Sequence, residues 1–344
     1  MILGVNMSSF SFLISKIGKI NKSRLSGFVD RISKDNHKPK LYVYADMVIN
    51  FLIYGISYTD YMKGNYINLS HKEKKTFITE RKYYKLVTYL NKEEYRDVLL
   101  DKIKFNDVFK DYMGRDYLDL RKASVNDFKK FVQNKKDFFA KKHNSCGGDG
   151  VEKIIVKEHK SIPNLYKELL EKEQFLVEET IIQHDYLNKI NPVVVNNLRI
   201  VTLLKDDIVH LIATTIRLNT GKDEAINCDD IFATLDENGH ILGNMVDADF
   251  NIYKKHPVTR FDFKNLKVPY TKEAIELCKK AALEVPEMRY IGWDVAITPK
   301  GPVLIEGNYY PSYGLFQYYL FDDGKEVGKY KMITDILKEE TKNL

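Results

Sequence analysis

The sequence predicts an α+β protein in which a mainly helical N-terminal region precedes two units of mixed strands and helices. Three observations predict it. Aromatic and aliphatic residues recur at helical spacing up to about residue 117, the texture changes to short alternating segments from about 118, and from Asn197 apolar runs are joined by short polar turns. The 344 residues, 44% hydrophobic and 30% charged, exclude a collagen-like, disordered or multispan membrane chain and allow two or three domains. The expected divisions are an arm over 1–40, a helical region over 41–117, a small α+β unit over 118–180, a larger unit over 181–335 and a tail over 336–344.

The arm is set apart by charge. It carries eight Lys and Arg against two Asp, whereas the other 304 residues balance at 46 against 46. Its first fourteen residues are uncharged but lack the charged start and cleavage pattern of a secretory signal, and the apolar run is too short to span a bilayer. Leu13, Ile17, Ile20, Phe28 and Ile32 then recur among basic residues. That pattern fits a helix on an anionic membrane surface, or, as is commoner for such helices, a helix packed on its own domain. Cys146, Cys228 and Cys278 lie far apart, which supports neither a disulfide framework nor a cysteine zinc site and fits a reducing, cytoplasmic setting. No zinc-finger spacing or second basic stripe points to nucleic acid.

In the helical region, Ser70 with Glu73 and Asn91 with Glu94 have the spacing of capping boxes. Tyr95, Val98, Leu99, Ile103 and Phe105 keep helical order past Asp101 and Lys102. Ser124 with Asp127 caps a short helix, Asp137 to Lys142 and Val151 to Val156 form a hairpin around a glycine-rich turn, Ser161 opens a helix, and Phe175 to Glu179 is a strand. Farther on, Leu198 to Leu204 and Ile208 to Leu218 flank Lys205-Asp206-Asp207, and Ile231 to Leu235 and His240 to Leu242 flank Asp236-Glu237-Asn238-Gly239. A helix capped by Thr271 runs to about Leu283, and a final hairpin follows.

That hairpin, Tyr290 to Asn308, is the most informative segment. With a turn centred on Lys300, Asp294 faces Glu306 and Gly292 faces Asn308. Like charges directly opposite destabilise a sheet, so two facing carboxylates in an apolar hairpin ask for a cation. Asn308 shares the face of Glu306, and two carboxylates with an amide oxygen suit Mg2+ or Mn2+ carrying a nucleotide phosphate. Phe138-Phe-Ala-Lys141-Lys142 leads into a turn with Gly147, Gly148 and Gly150, whose backbone N–H groups can close on phosphate, although such turns are commonly only turns. Arg199 lies in an apolar strand and needs an anion; pairing about Asp206 sets it opposite Ala213, with Thr215 and Arg217 along the same face. A structural ion pair is the rival reading of Arg199.

These elements in this order resemble the ATP-grasp superfamily, in particular its sugar-transfer-associated branch found with bacterial polysaccharide genes. The resemblance covers roughly residues 55 to 335 and is strongest at Asp294, Glu306 and Asn308 within Asp-x-Ala and Gly-Pro-x-Leu-Ile-Glu-Gly-Asn. It implies a fold of two subdomains clasping ATP, a lid at 118–180 and a core at 181–335, with Asp294, Glu306 and Asn308 holding the metal. Lys102, with Lys104 as competitor, and Lys142, with Lys141 as competitor, are implied to meet phosphate together with Gly147, Gly148 and Gly150. Glu178, Glu179, Thr180 and Ile181 resemble the hinge that binds adenine, and Asp185 stands where ribose is reached. Arg199 is implied to face the γ-phosphate and Arg217 to hold a carboxylate substrate. The chain departs from the branch at Ile226-Asn227-Cys228-Asp229-Asp230, where an Asp-Asn and paired glycines are usual, and in having a helical region where the superfamily has an α/β domain.

The implied activity is an ATP-dependent ligase that joins a small carboxylate and an amine through an acyl phosphate, one partner being a sugar or lipid-linked glycan. The expected location is cytoplasmic, with the arm able to contact the inner membrane face. A kinase acting on a sugar hydroxyl and a non-catalytic nucleotide- or glycan-binding protein are the alternatives.

Overall fold

The structure is a computed structural model that describes residues 21–145, 149–221, 230–317 and 328–343. Gly147, Gly148, Cys146, Cys228, most of the Ile226 to Asp230 departure and the first twenty residues of the arm lie outside the described residues.

The N-terminal region is built of helices α1 (Lys22–Asp35), α2 (Lys40–Tyr54), α3 (Tyr58–Lys63), α4 (His71–Thr76), α5 (Glu80–Leu90), α6 (Asp97–Leu100), α7 (Lys102–Val108) and α8 (Lys110–Met113). Their limits follow from local chemistry. Asn21 and Ser57 cap α1 and α3 through their side chains, and Gly55 at φ +72° ends α2 in the left-handed conformation that glycine adopts without strain. Ser70 and Glu73 form the expected capping box at α4.

Asn91 and Glu94 do not form one. Asn91 ends α5, and its amide bridges Tyr290 O, Tyr309 O and Tyr290 N, each at 2.8 Å, so it ties α5 to the C-terminal hairpin. The helical run past residue 100 is also interrupted: Asp101 is extended and accepts from Ile103 N at 2.9 Å and Lys104 N at 3.1 Å, restarting the helix as α7.

Next comes a four-stranded antiparallel sheet of β1 (Tyr117–Asp119), β2 (Asp137–Lys141), β3 (Val151–Ile155) and β4 (Leu176–Glu179), in the order β1-β4-β2-β3. Helices α9 (Val125–Val132) and α10 (Ile162–Glu171) cover it with Phe128, Val132, Leu165 and Leu169, which pack on Phe138 and Val177. Ser124 with Asp127 and Ser161 cap these helices as their spacing predicts.

After the short helix α11 (Asp185–Asn188), the remaining strands form one antiparallel sheet: β5 (Asn197–Lys205), β6 (Ile208–Asn219), β7 (Asp230–Leu235), β8 (Ile241–Val246), β9 (Ile252–Tyr253), β10 (Tyr290–Thr298) and β11 (Gly301–Asn308). Their order is β11-β10-β5-β6-β7-β8-β9. One face packs on α12 (Thr271–Ala281) and on α6 to α8 through Trp293, Val295, Leu198, Ile200, Phe105 and Phe109. The opposite face packs on α5 and α13 (Lys329–Leu337) through Val201, Leu203, Tyr290, Tyr83 and Ile333. Thr271 does not cap α12: it is the first helical residue, after Tyr270 at φ +56°, and its hydroxyl donates to Val268 O at 2.9 Å.

Two registers decide what meets what. The β5–β6 turn holds two residues, Asp206 and Asp207, both at positive φ (49° and 60°), which is the geometry of a type I′ turn. A shift between Val201 and Thr202 then leaves Arg199 opposite Thr215, not Ala213. Arg217 stays on the same face, because the period of two is unaffected by a displacement of two positions. In the last hairpin the turn also has two residues, yet a bulge between Asp294 and Val295 restores the expected pairs Asp294–Glu306 and Gly292–Asn308.

Candidate active site

The side chains of Arg199, Arg217, Asp294, Glu306 and Asn308 share the α5/α13 face of the large sheet by strand periodicity, and Gly292 occupies a position on the same face. Asp294 pairs with Arg199 across β10 and β5, and their side chains meet in a two-point ion pair: Arg199 Nε donates to Oδ1 and Nη2 to Oδ2 at 3.0 Å. Arg217 adds Nη1 at 3.6 Å from Asp294 Oδ2, and its Nη2 lies 2.7 Å from Asp230 Oδ2. Arg199 and Asp294 are only 6% and 4% exposed. Burial pushes the Asp294 carboxyl up, but the Arg199 and Arg217 charges outweigh it and hold the group below the usual range.

Glu306 behaves in the opposite sense. Burial raises its carboxyl and the facing Asp294 raises it further, while Arg199 offsets only part of this. The donor chemistry therefore fits a divalent cation: a raised carboxylate opposite a second carboxylate is short of positive charge. Asn308 donates through Nδ2 to Gly292 O at 3.3 Å, which turns its acceptor oxygen the other way. Gly292 is needed here, because a β-carbon would stand 2.5 Å from Pro311 Cβ and 3.2 Å from Arg199 Cδ. Among the described residues no cluster of three or more His, Cys, Asp or Glu is placed to hold a metal; the set is two carboxylates and an amide.

The edge strand β11 forms one wall of a cleft of about 180 Å3, lined by Lys102, Lys141, Glu178, Glu306 and Asn308 among others. Lys141 at the end of β2 reaches Glu178 on β4 in an ion pair. Glu178 also receives Asn106 Nδ2 at 2.6 Å and Arg115 Nη2 at 3.2 Å. Burial raises the Glu178 carboxyl, yet Lys141 and Arg115 together bring it down to about 2.

Lys102 opens α7 and donates through Nζ to Ser145 O in the segment after β2. Lys104 turns away and meets Asp97 at 3.1 Å on the surface. Lys142 does not line the cleft; its chain lies against Gly150, where a β-carbon would meet it at 2.7 Å, and Gly150 is at φ +67°.

Glu179, Thr180 and Ile181 line a second recess with Arg115, Pro299 and Lys300. Thr180 donates to Asp137, and Glu179 N donates to Asp116 O at 2.9 Å. Asp185 is exposed and lines neither recess. The sequence carries no sign of Arg115 or Asn106, and marks Asp230 only as part of the departure from the branch, not as a partner of Arg217. Arg115 also donates to Leu304 O at 2.5 Å and Ile305 O at 3.4 Å, meeting carbonyls beside the β11 bulge. Nothing in Met113-Gly-Arg115-Asp signals this, since Glu178, Leu304 and Ile305 are 63 to 190 positions away.

Residues 80–320 match a protein family described as sugar-transfer associated ATP-grasp. None of the curated proteins compared matches the sequence. Among solved structures, the chain is similar to D-alanyl-alanine synthetase A from Vibrio cholerae at 13% identity and a TM-score of 0.42, over 70% of this chain and 65% of that one. It is also similar to carboxyaminoimidazole ribonucleotide synthase from Aspergillus clavatus, solved with ATP, at 13% identity and 0.43, over 70% and 52%. A third is the biotin carboxylase domain of a 2-oxoglutarate carboxylase from Hydrogenobacter thermophilus, at 15% and 0.43, over 71% and 46%. The chain thus spans less than two thirds of the length of each, and at these scores they add nothing to the family match.

Proposed function

The chain belongs to the sugar-transfer associated ATP-grasp family, and on that premise we propose that it is an ATP-dependent carboxylate–amine ligase, joining an amino acid or amine to a sugar or polysaccharide precursor. The observation that carries the reading is the pair of facing carboxylates, buried Asp294 and half-buried Glu306, with Asn308 beside them and two arginines on Asp294.

Asp294, Glu306 and Asn308 would hold Mg2+ or Mn2+, which when bound neutralises phosphate charge and orients the polyphosphate. On this reading ATP is a substrate. Lys141, with Lys142 and Lys102 nearby and Lys104 the more distant candidate, supplies positive charge along the phosphates, and the turn containing Gly147, Gly148 and Gly150 supplies backbone N–H donors. Glu178, Glu179, Thr180 and Ile181 take the base.

A substrate carboxylate oxygen attacks the γ-phosphorus as the bond to ADP breaks, giving an acyl phosphate. An amine then attacks the acyl carbon, phosphate leaves, and the amine loses a proton. Arg199 stabilises charge on the transferred phosphoryl group and Arg217 holds the carboxylate. Positioning and electrostatics suffice, so no covalent protein nucleophile is required. Residues 1–40 are proposed to hold the enzyme at the inner face of the cytoplasmic membrane, near lipid-linked substrates.

Phosphate release tests the reading. A ligase releases phosphate only when carboxylate and amine are both present; phosphate left on a sugar hydroxyl would make the protein a kinase, and ATP binding without turnover across amino acids, amines and uronic acids would make it a binding protein.

A further inference from the structure

Helix α2 presents two opposite faces. Val43, Met47 and Asn50 are buried, whereas Leu41, Val48, Ile49, Leu52 and Ile53 are 50% to 80% exposed. At 100° per residue the outward residues span about 140°, roughly two fifths of the circumference. None is charged: Asp46, the sole acid of the helix, accepts from Tyr61 Oη and from Asn50 Nδ2 at 3.0 Å and so faces its own domain. An apolar stripe of this width on the surface marks a contact.

At the N-terminal end of the outward face Lys38 Nζ lies 5.6 Å from the Tyr42 ring; at the other end Tyr54 turns to the buried side and packs with Val43 and Met47, its ring 6.0 Å from Lys74 Nζ on α4. Lys72 and Lys75 flank Lys74 on α4, while Glu73 is occupied in its capping box. The acids near the other end are also engaged, Asp30 by Lys40 at 2.7 Å and Asp35 by Arg31 at 4.0 Å. Residues 1–76 hold twelve Lys and Arg against five Asp and Glu, an excess of seven in a chain whose total is +6.

We infer that the outer face of α2 docks in the plane of an anionic lipid bilayer, its apolar stripe in the acyl boundary and Lys38, beside Tyr42, at headgroup level. Charge selects this occupant. Residues 1–20 contain Lys16 and Lys19 and no acid, and a second copy would bring one strongly basic N-terminal region against another, so neither offers countercharge. Anionic headgroups do. Fifteen residues of helix are about 22 Å long, short of the roughly 30 Å hydrocarbon core, and no described helix is long and apolar enough to cross a membrane. The inference deepens the membrane contact proposed for residues 1–40 but centres it on a folded helix that begins at the arm's last residue, and it uses no residue of the nucleotide site.

The test is co-sedimentation of the full chain with vesicles of equal parts phosphatidylglycerol and phosphatidylcholine, and with phosphatidylcholine alone. The expected result is binding to the anionic vesicles, a loss of about tenfold or more in partition for Val48→Ser/Leu52→Ser, and a comparable loss for Lys38→Glu/Lys74→Glu. The substituted apolar residues are exposed, so unchanged thermal melts and unchanged ATP-dependent stabilisation are expected for both variants. Three results would overturn the inference: no binding by the wild type, wild-type binding by the face variant, or a dimer that the face variant dissolves without any vesicle binding. Loss of binding on deletion of residues 1–20, with the face variant still bound, would assign the contact to the arm alone.

Discussion

Asp294 and Glu306 stand directly opposite each other on β10 and β11 only because a one-residue bulge offsets a two-residue turn. The two carboxyls are then driven apart, Asp294 down by Arg199 and Arg217 and Glu306 up by burial and by Asp294. One is paired within the protein and the other is left short of positive charge.

This asymmetry predicts opposite effects of two isosteric changes. Asp294→Asn leaves Arg199 buried with half of its ion pair gone and should cost about 3–5 kcal/mol in urea unfolding. Glu306→Gln removes a like charge and should leave stability unchanged or raised by about 1 kcal/mol or less. Because the folded-state pKa of Glu306 is raised, its ionisation withdraws stability as pH rises above the unfolded value. Any advantage of Glu306→Gln should therefore be present at about pH 8 and absent near pH 4.

Glu178 provides the acid-side counterpart. Its carboxyl is held at about 2, below an unfolded value of about 4.3, so its pairing with Lys141 and Arg115 stabilises fully above the unfolded value and is lost as pH falls toward the folded one. The contribution is on the order of 3 kcal/mol at pH 7. Glu178→Gln should be markedly less stable than wild type at neutral pH, and chemical unfolding should show the gap closing between about pH 4 and pH 2.

At Gly292 the constraint is space. Gly292→Ala places a methyl 2.5 Å from Pro311 Cβ and should cost about 1–3 kcal/mol, as overpacking does. Its measured destabilisation should be accompanied by weaker nucleotide binding, since Arg199 lies 3.2 Å from the same position.

The two adjacent lysines are separable. Lys141 lines the cleft and Lys142 lies against Gly150. Lys141→Ala should weaken ATP binding by about tenfold or more, and Lys142→Ala by less, in isothermal titration.

The architecture was legible where a signal was local. Capping spacings at Ser70 and Ser124 located helix starts, and a change of period located the two sheets. The Asp294–Glu306 pairing was legible too, although the three-residue turn assumed for it is in fact a two-residue turn plus a bulge. Where no bulge restores the assumed register, as at Arg199 and Ala213, the partner is misassigned while the face is kept. Asn91, Arg115 and Asn106 act across long sequence separations, so composition and spacing gave no warning of them.

The most direct test of the central claim, a Mg2+-dependent nucleotide site on Asp294, Glu306 and Asn308, is thermal unfolding with ATP and Mg2+ on wild type and Glu306→Gln. Specific binding stabilises by linkage, about 2.7 kcal/mol at a hundredfold excess over Kd. The account predicts a rise in midpoint that requires Mg2+ in the wild type and shrinks in Glu306→Gln. No rise at saturating nucleotide, or an equal rise in both proteins, would contradict it.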